Sequence, residues 1–213
     1  MLIVIFILHS CSDHKKQLKE NDVKEKIIGL RKLGFFEHFN TLDDKRLFDT
    51  LHKVRIAQHI KIFERYYDPG MELENSEIFS LDTTRTIFGD FEDDVCNGNK
   101  RYISLLTAFS NASGGRFLPK DIQEVWTSEK GPVRVTFLIN KERIDFYPEY
   151  HDDWLSEKVI EIVNQQMVKN GNEKFYVFMN NDGLGLGQYF LFVRLRDSQK
   201  DSIQSNLGWK FAY

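Results

Sequence analysis

Apolar residues in the first third of the chain recur at steps of three and four, the spacing of one face of an α-helix. Val23, Ile27, Leu30 and Leu33 follow this spacing, and Gly34 supplies a helix end. A second apolar set, Leu47, Leu51 and Val54, continues the spacing until the turn residues Asp68-Pro69-Gly70. The pattern predicts a helical hairpin over residues 22 to 67, with Phe35, Phe36 and Phe39 packed into a core.

The last third of the chain changes to the alternation of a half-buried β-strand. It predicts one hairpin at 133–139 and 144–146, a helix from Leu155 to Gln166, and a second hairpin at 175–179 and 188–195. Residues 70 to 98 carry no clear period, so we expect irregular chain with short extended pieces at 78–81 and 85–88. The order strand, strand, helix, strand, strand, helix predicts an α+β fold: an antiparallel sheet with helices packed on one face.

Residues Leu2 to Leu8 are seven consecutive apolar side chains, far fewer than the roughly 20 that span a bilayer as a helix. Leu8-His9-Ser10-Cys11 follows them, and this start resembles a bacterial lipoprotein precursor. The resemblance implies a signal peptide over 1–10 and a lipid on Cys11. It also implies a bacterial cell envelope protein that is membrane-anchored and faces an extracytoplasmic compartment.

His9 replaces the usual small residue of such a signal, and no Lys or Arg precedes the apolar run. The alternative interpretation is that residues 2–8 form a buried strand or an apolar chain end. Nine of the fifteen residues from Ser12 to Lys26 are charged, which favours a solvated tether. We therefore expect a lipidated Cys and flexible tether over 11–26 and a single α+β domain over 27–213. Its helical part is 27–115 and its sheet part is 116–213.

Composition then narrows the functional classes. The 213 residues include 29 Lys and Arg against 32 Asp and Glu, a net charge of -3. Because no basic run is present, electrostatic capture of nucleic acid is not expected. The glycines at 183–187 precede a strand, where a dinucleotide-binding loop would precede a helix, so we expect a turn and no cofactor. With Cys11 lipidated, Cys96 has no disulfide partner, and we expect it to be a buried apolar residue.

An acidic cluster is the main candidate for chemistry. Asp90, Glu92, Asp93 and Asp94 place four carboxylates within five residues, without the spacing of a calcium-binding loop. A solvated loop, a contact for a basic partner and a Ca²⁺ or Mg²⁺ site all remain open. Asp152 and Asp153 stand where a helix needs caps. No catalytic constellation and no metal site are assigned.

A broader resemblance covers about residues 83 to 213. Its residues are Arg85 to Asp90, Trp126, Gly131-Pro132, Asp153-Trp154, Asn164 and Phe175-Tyr176. This pattern is similar to uncharacterised bacterial proteins that are regarded by some as immunity-type partners of toxins. The resemblance implies a binding role and no agreed activity.

The sequence thus predicts a membrane-anchored lipoprotein of unknown biochemical activity that binds an unidentified protein. The expected contacts are Tyr66, Tyr67 and Phe91 beside the carboxylates Asp90, Glu92, Asp93 and Asp94, because aromatic anchors next to charged groups are common in interfaces. The alternative is a metal-dependent envelope hydrolase in which the acidic loop 90–94 holds the ion.

Overall fold

The computed structural model describes residues 22–63, 75–90, 95–151, 154–179 and 189–212. The chain divides into two compact units, the first ending at Asp82 and the second running from Thr83 to Tyr213. Helices and antiparallel sheets together confirm the predicted α+β class. The predicted signal peptide and residues 11–21 of the tether lie outside the described residues, and residues 22–26 lie in the first helix.

Helices make up the described part of the first unit. They are α1 (22–32), a 3₁₀ turn (Glu37–Phe39), α2 (Asp44–Phe63) and α3 (Asn75–Ser80). Helix α1 ends as the sequence predicts, since Gly34 has a φ of 85°. The Gly34 N–H donates to Arg31 O at 2.9 Å and the Phe35 N–H to Leu30 O at 3.1 Å, closing the last turn.

The prediction of extended chain at 78–81 is wrong, because residues 75–80 form α3. Ile78, Phe79 and Leu81 are all buried, and a short apolar run of this kind does not distinguish a strand from a buried helix. Phe79 packs on Phe35 with ring centroids 5.4 Å apart. Phe35 and Phe36 are buried as predicted, whereas Phe39 is only half-buried.

A buried carboxylate fixes the turn that follows α1. The Phe36 N–H donates to Asp82 Oδ2 at 2.7 Å, and Phe36 has a left-handed φ of 59°. His38 Nδ1 lies 3.8 Å from Asp82 Oδ1. The backbone hydrogen bond replaces part of the water that Asp82 loses on burial, so the last residue of the first unit holds this turn.

The described part of the second unit contains two antiparallel sheets. Their strands are β1 (Thr86–Asp90), β2 (Lys120–Trp126), β3 (Val133–Ile139), β4 (Glu142–Phe146), β5 (Glu173–Phe178), β6 (Tyr189–Arg196) and β7 (Phe211–Ala212). One sheet has the order β1-β6-β5-β7 and the other β2-β3-β4. The helices are α4 (Arg101–Ala112), α5 (Lys158–Lys169) and α6 (Asp197–Leu207). The predicted pairings of β3 with β4 and of β5 with β6 are confirmed.

The expectation of one sheet with helices on one face is wrong in two respects. The strands form two sheets, and the four-stranded sheet has helices on both faces. Phe175 of β5 packs on Phe109 of α4 with centroids 4.9 Å apart. Its neighbour Tyr176 points to the opposite face, where its hydroxyl donates to Asp197 of α6. Desolvation by burial, together with this hydrogen bond, raises the pKa of Tyr176, while the same hydrogen bond lowers the pKa of Asp197.

Strand β2 was not predicted because a charged residue occupies one of its inward positions. Glu124 lies between Ile122 and Trp126 on the half-buried side of the strand. Its Oε2 accepts from the Tyr102 N–H at 3.0 Å and the Ile103 N–H at 3.3 Å, while its Oε1 accepts from Trp126 Nε1 at 2.8 Å. The carboxylate therefore caps the first turn of α4 from the neighbouring sheet, and it breaks the apolar alternation that marks a strand.

A cluster of buried charges joins the end of α4 to the four-stranded sheet. Arg194 on β6 is ion-paired with Glu173 on β5, and its Nε donates to Ala112 O at 2.8 Å. Arg116 Nη1 lies 2.9 Å from Glu173 Oε2, and Arg85 Nη1 lies 3.9 Å from Glu173 Oε1. Burial lowers the pKa of Arg194, while the Coulombic attraction of Glu173 opposes this effect.

Two glycines make room for these arginines. An ideal Cβ on Gly114 would lie 2.9 Å from Arg194 Cζ, and the φ of Gly114 is +62°. An ideal Cβ on Gly171 would lie 2.9 Å from Arg116 Nε. Because the hydrogen bonds of Arg194 hold its guanidinium in place, a side chain at position 114 would force that group to move.

Replacing Glu173 by Gln tests the importance of this cluster. The variant keeps the shape of the side chain but leaves Arg194 buried without its anionic partner, and we expect the free energy of unfolding to fall by about 3–5 kcal/mol. Denaturant unfolding of the full chain measures the change. Glu129→Gln is the matched control, because Glu129 is exposed, and it should change stability by less than about 0.5 kcal/mol. Equal stability of both variants would contradict a structural role for the pair.

Candidate functional site

The residues predicted to form the site are only partly described. Asp90 ends β1, where its backbone pairs with Tyr189 of β6. The other predicted contacts are Tyr66, Tyr67, Phe91, Glu92, Asp93 and Asp94, and they lie outside the described residues, as do Cys11, Asp152 and Asp153. The roles of the other residues as contacts and lipid acceptor stay predictions. The capping role predicted for Asp152 and Asp153 is wrong, because α5 begins at Lys158 with Glu157 in the N-cap position.

Cys96 corrects one expectation, because it is exposed and not buried. Val95, its neighbour, is 2% exposed and occupies the apolar position. Within the described ranges, no three His, Cys, Asp or Glu residues lie close enough together to hold a metal ion. In the alternative function, a metal-dependent hydrolase, residues 90–94 would hold the ion. The described residues provide no further cluster of metal ligands for it.

The described part of the second unit presents another surface that combines carboxylates with exposed aromatic side chains. It is formed by β4, by the loop that follows it and by the outer side of α5, and we call it the acidic surface. Tyr147 and Trp154 are 56% and 40% exposed. Its carboxylates are Glu142, Asp145, Glu149, Glu157 and Glu161, and its amines are Lys158 and Lys169. Tyr147 and Trp154 thus offer exposed aromatic area of the kind that contributes to protein interfaces.

The loop between β4 and α5 is anchored at both ends. Phe146 and Pro148 are buried at its start, and Leu155 and Ser156 are buried at its end. The Ser156 N–H donates to the hydroxyl of Tyr102 on α4 at 3.1 Å. Tyr102 is fully buried, and this desolvation raises its pKa. The scaffold therefore fixes the chain on either side of the exposed aromatic residues.

A second contact supports the middle of the loop. The Tyr150 ring packs edge-on against Trp126 at the end of β2, with centroids 5.9 Å apart. The backbone of Gly131 lies beside Tyr150, since an ideal Cβ on Gly131 would be 3.5 Å from Tyr150 Cβ. Gly131 has a φ of +87° and precedes Pro132 in a cis peptide bond. Several of the positions that carry the resemblance to immunity-type proteins thus lie on or beside this loop: Trp126, Gly131-Pro132 and Trp154.

Arg134 on β3 organises the charge next to Tyr147. Its Nε lies 3.0 Å from Asp145 Oδ1, and its Nη2 donates to Asp145 Oδ2, a two-point contact of guanidinium with carboxylate. The guanidinium carbon is 6.0 Å from the centroid of the Tyr147 ring. The hydrogen bond from Arg134 lowers the pKa of Asp145, so this carboxylate stays charged as the pH falls.

The acidic surface has no assembled catalytic group among the described residues. His151 Nε2 lies 3.3 Å from Glu149 Oε2, but both side chains are largely exposed. A nucleophile or general base works from an enclosed site that orients it and excludes water. Charge and exposed aromatic area suit this surface to binding.

The sequence contains the residues of the acidic surface, but each has a local explanation. Asp152 and Asp153, next to Trp154, fit the pattern of helix caps, and the acids from Glu142 to Glu161 carry no recognised motif. Their proximity arises from the fold, because α5 returns beside β4 after the intervening loop.

No protein-family model matches the sequence, and no curated protein and no solved structure matches it. Among the described residues, no helix is both long enough and apolar enough to cross a membrane.

Replacing Arg134 by Gln tests how the charge beside Tyr147 is set. Loss of the two-point contact should raise the pKa of Asp145 towards the ordinary value of about 3.9. Nuclear magnetic resonance titration of the Asp145 side chain measures this pKa. Arg143→Gln is the matched control, because Arg143 exerts only a smaller Coulombic effect on Asp145. An equal or larger rise in the control would contradict the assignment.

Proposed function

We propose that this chain is a protein-binding module that is held to a bacterial membrane by a lipid on Cys11. The observation that supports binding is the pair of exposed aromatic residues, Tyr147 and Trp154, on an anchored loop among carboxylates. Aromatic side chains contribute large contact areas and lose little conformational freedom on binding. The carboxylates favour a partner with a basic surface, because complementary charge speeds association and selects the partner.

The membrane part of the proposal rests on the first residues of the chain. The apolar run Leu2 to Leu8 followed by Cys11 resembles a lipoprotein signal, and the charged segment after Cys11 suits a solvated tether. A module anchored in this way would meet its partner at or near the membrane surface. The resemblance of residues 83 to 213 to immunity-type proteins agrees with a binding role.

Photo-cross-linking tests the binding function. A photoreactive amino acid is placed at Tyr147, Trp154 or the control position Leu118 of the full-length chain, expressed in bacterial cells. Leu118 is 56% exposed, the same as Tyr147. We expect discrete adducts at Tyr147 and Trp154 and none at Leu118. Trp154→Ala should then weaken the affinity for the cross-linked partner by at least roughly tenfold. Adducts of equal yield at the three positions would contradict binding through this surface.

Metabolic labelling with a fatty acid tests the anchor. The full-length chain should incorporate the label and fractionate with membranes, and Cys11→Ala should lose both properties. Cys96→Ala is the matched control, because it removes the other thiol and should keep the label. An unlabelled wild-type chain with Met1 intact would refute lipid anchoring.

A further inference from the structure

Strand β4 is an edge strand, since its sheet has the order β2-β3-β4 and the described residues supply no neighbour beyond it. The edge of a sheet presents backbone N–H and C=O groups that can pair with another extended chain. Which groups face outward follows from the turn between β3 and β4. Asn140 and Lys141 both have positive φ, 51° and 70°, and Ile139 pairs with Glu142. These values define a two-residue hairpin turn of type I′.

In such a hairpin the first pair beyond the turn is hydrogen-bonded, and bonded and non-bonded pairs then alternate. Glu142, Ile144 and Phe146 therefore direct their backbone groups towards β3. Arg143 and Asp145, which lie opposite Leu138 and Thr136, direct theirs to the open edge. Two residues of β4 are thus available for backbone pairing with an added strand.

A groove of about 440 Å³ runs along this open edge. One wall is β4 from Glu142 to Tyr147, and the other is α5, including Ile162 and Gln165. At one end, Lys169 Nζ lies 3.5 Å from Glu142 Oε2 and Asn140 Nδ2 lies 3.1 Å from Asn170 Oδ1. At its other end the groove continues into a second hollow, which lies beside Trp154. Lys158 and Glu161 line both the groove and this hollow.

The charge of the groove and the hollow favours a basic occupant. Five carboxylates and two amines line them, but Arg134 and Arg143 lie beside Asp145 and Lys169 lies beside Glu142. The excess of carboxylates is therefore in the hollow, where Glu149, Glu157 and Glu161 are accompanied by Lys158. The half-buried Ile144 and Ile162 provide apolar contacts between the two walls. An extended chain places alternate side chains on opposite faces, so one row can meet these apolar contacts while basic residues in the other row meet carboxylates.

We infer that β4 and α5 form a strand-binding groove that takes an extended, basic segment of a partner protein as a fourth strand of the three-stranded sheet. This inference deepens the proposed binding function and rests on it. The backbone of Arg143 and Asp145 supplies the pairing, and the carboxylates supply the preference for lysine and arginine side chains. Trp154 then lies just beyond one end of the added strand.

The probe for this groove is a short capped peptide that alternates lysine and valine, added to the full chain. Its control is the same peptide with glutamate in place of lysine. In the free protein the amides of Arg143 and Asp145 should exchange with solvent faster than those of Ile144 and Phe146. The basic peptide should slow exchange at Arg143 and Asp145 by roughly tenfold or more, and the acidic peptide should not. Protection that is absent, or confined to other residues, would overturn the inference.

Arg143→Pro and Arg143→Ala separate the backbone from the side chain. Both remove the guanidinium, but only proline removes the outward N–H, and proline is tolerated at edge positions that do not bond within the sheet. Arg143→Pro should bind the basic peptide roughly fivefold or more weakly than Arg143→Ala. Equal affinities would overturn strand addition.

Thermal unfolding shows whether Arg143→Pro keeps the fold. If that variant unfolds, the exchange result on the wild-type chain decides alone.

The inference and the proposed function can fail separately. Cross-linking at Tyr147 and Trp154 together with unchanged exchange at Arg143 would leave a binding module that does not use strand addition. Absence of adducts at both aromatic positions would remove the binding function itself.

Discussion

The second unit depends on one buried carboxylate, Glu173, and on the arginines around it. The 4% exposed Glu173 and the 6% exposed Arg194 have lost most of their water, so each must be stabilised by the protein. Arg194 also bonds to Ala112 O, and its Nη2 lies 3.4 Å from Thr84 O. The pair thereby ties β5 and β6 to the end of α4 and to the chain before β1. An apolar core alone would tolerate small shifts between these elements, whereas paired charges fix their register.

Local periodicity was sufficient to predict α1, α5 and the two β-hairpins, β3–β4 and β5–β6, although it placed the start of α5 three residues too early. It failed where tertiary contacts decide the structure. Glu124 occupies an inward strand position because it caps a helix that is distant in sequence. The pairing of Thr86 with Val193 joins residues more than a hundred positions apart, and no local pattern reports it. The division into two sheets could not be predicted for the same reason.

The candidate site, too, could not be predicted from local sequence. The acidic cluster that the sequence predicts as a site consists of residues adjacent in the chain, at 90–94. The acidic surface instead collects carboxylates from β4, a loop and α5, which are adjacent only after folding. Within each element these acids have an ordinary local explanation as caps or solvated positions. The binding function that we propose for this surface depends on the geometry of an open strand edge beside a helix.

The close approach of Gly114 to the Arg194 side chain has a consequence for tracing the ancestry of this chain. A surface that recognises a partner is free to diverge along with that partner, so similarity there is lost quickly. A position with positive φ, where even a methyl group would displace a buried guanidinium, tolerates little such drift. Distant homologues should therefore retain Gly114 with Glu173 and Arg194 long after the residues around Trp154 have changed. That three-residue signature gives a way to identify them.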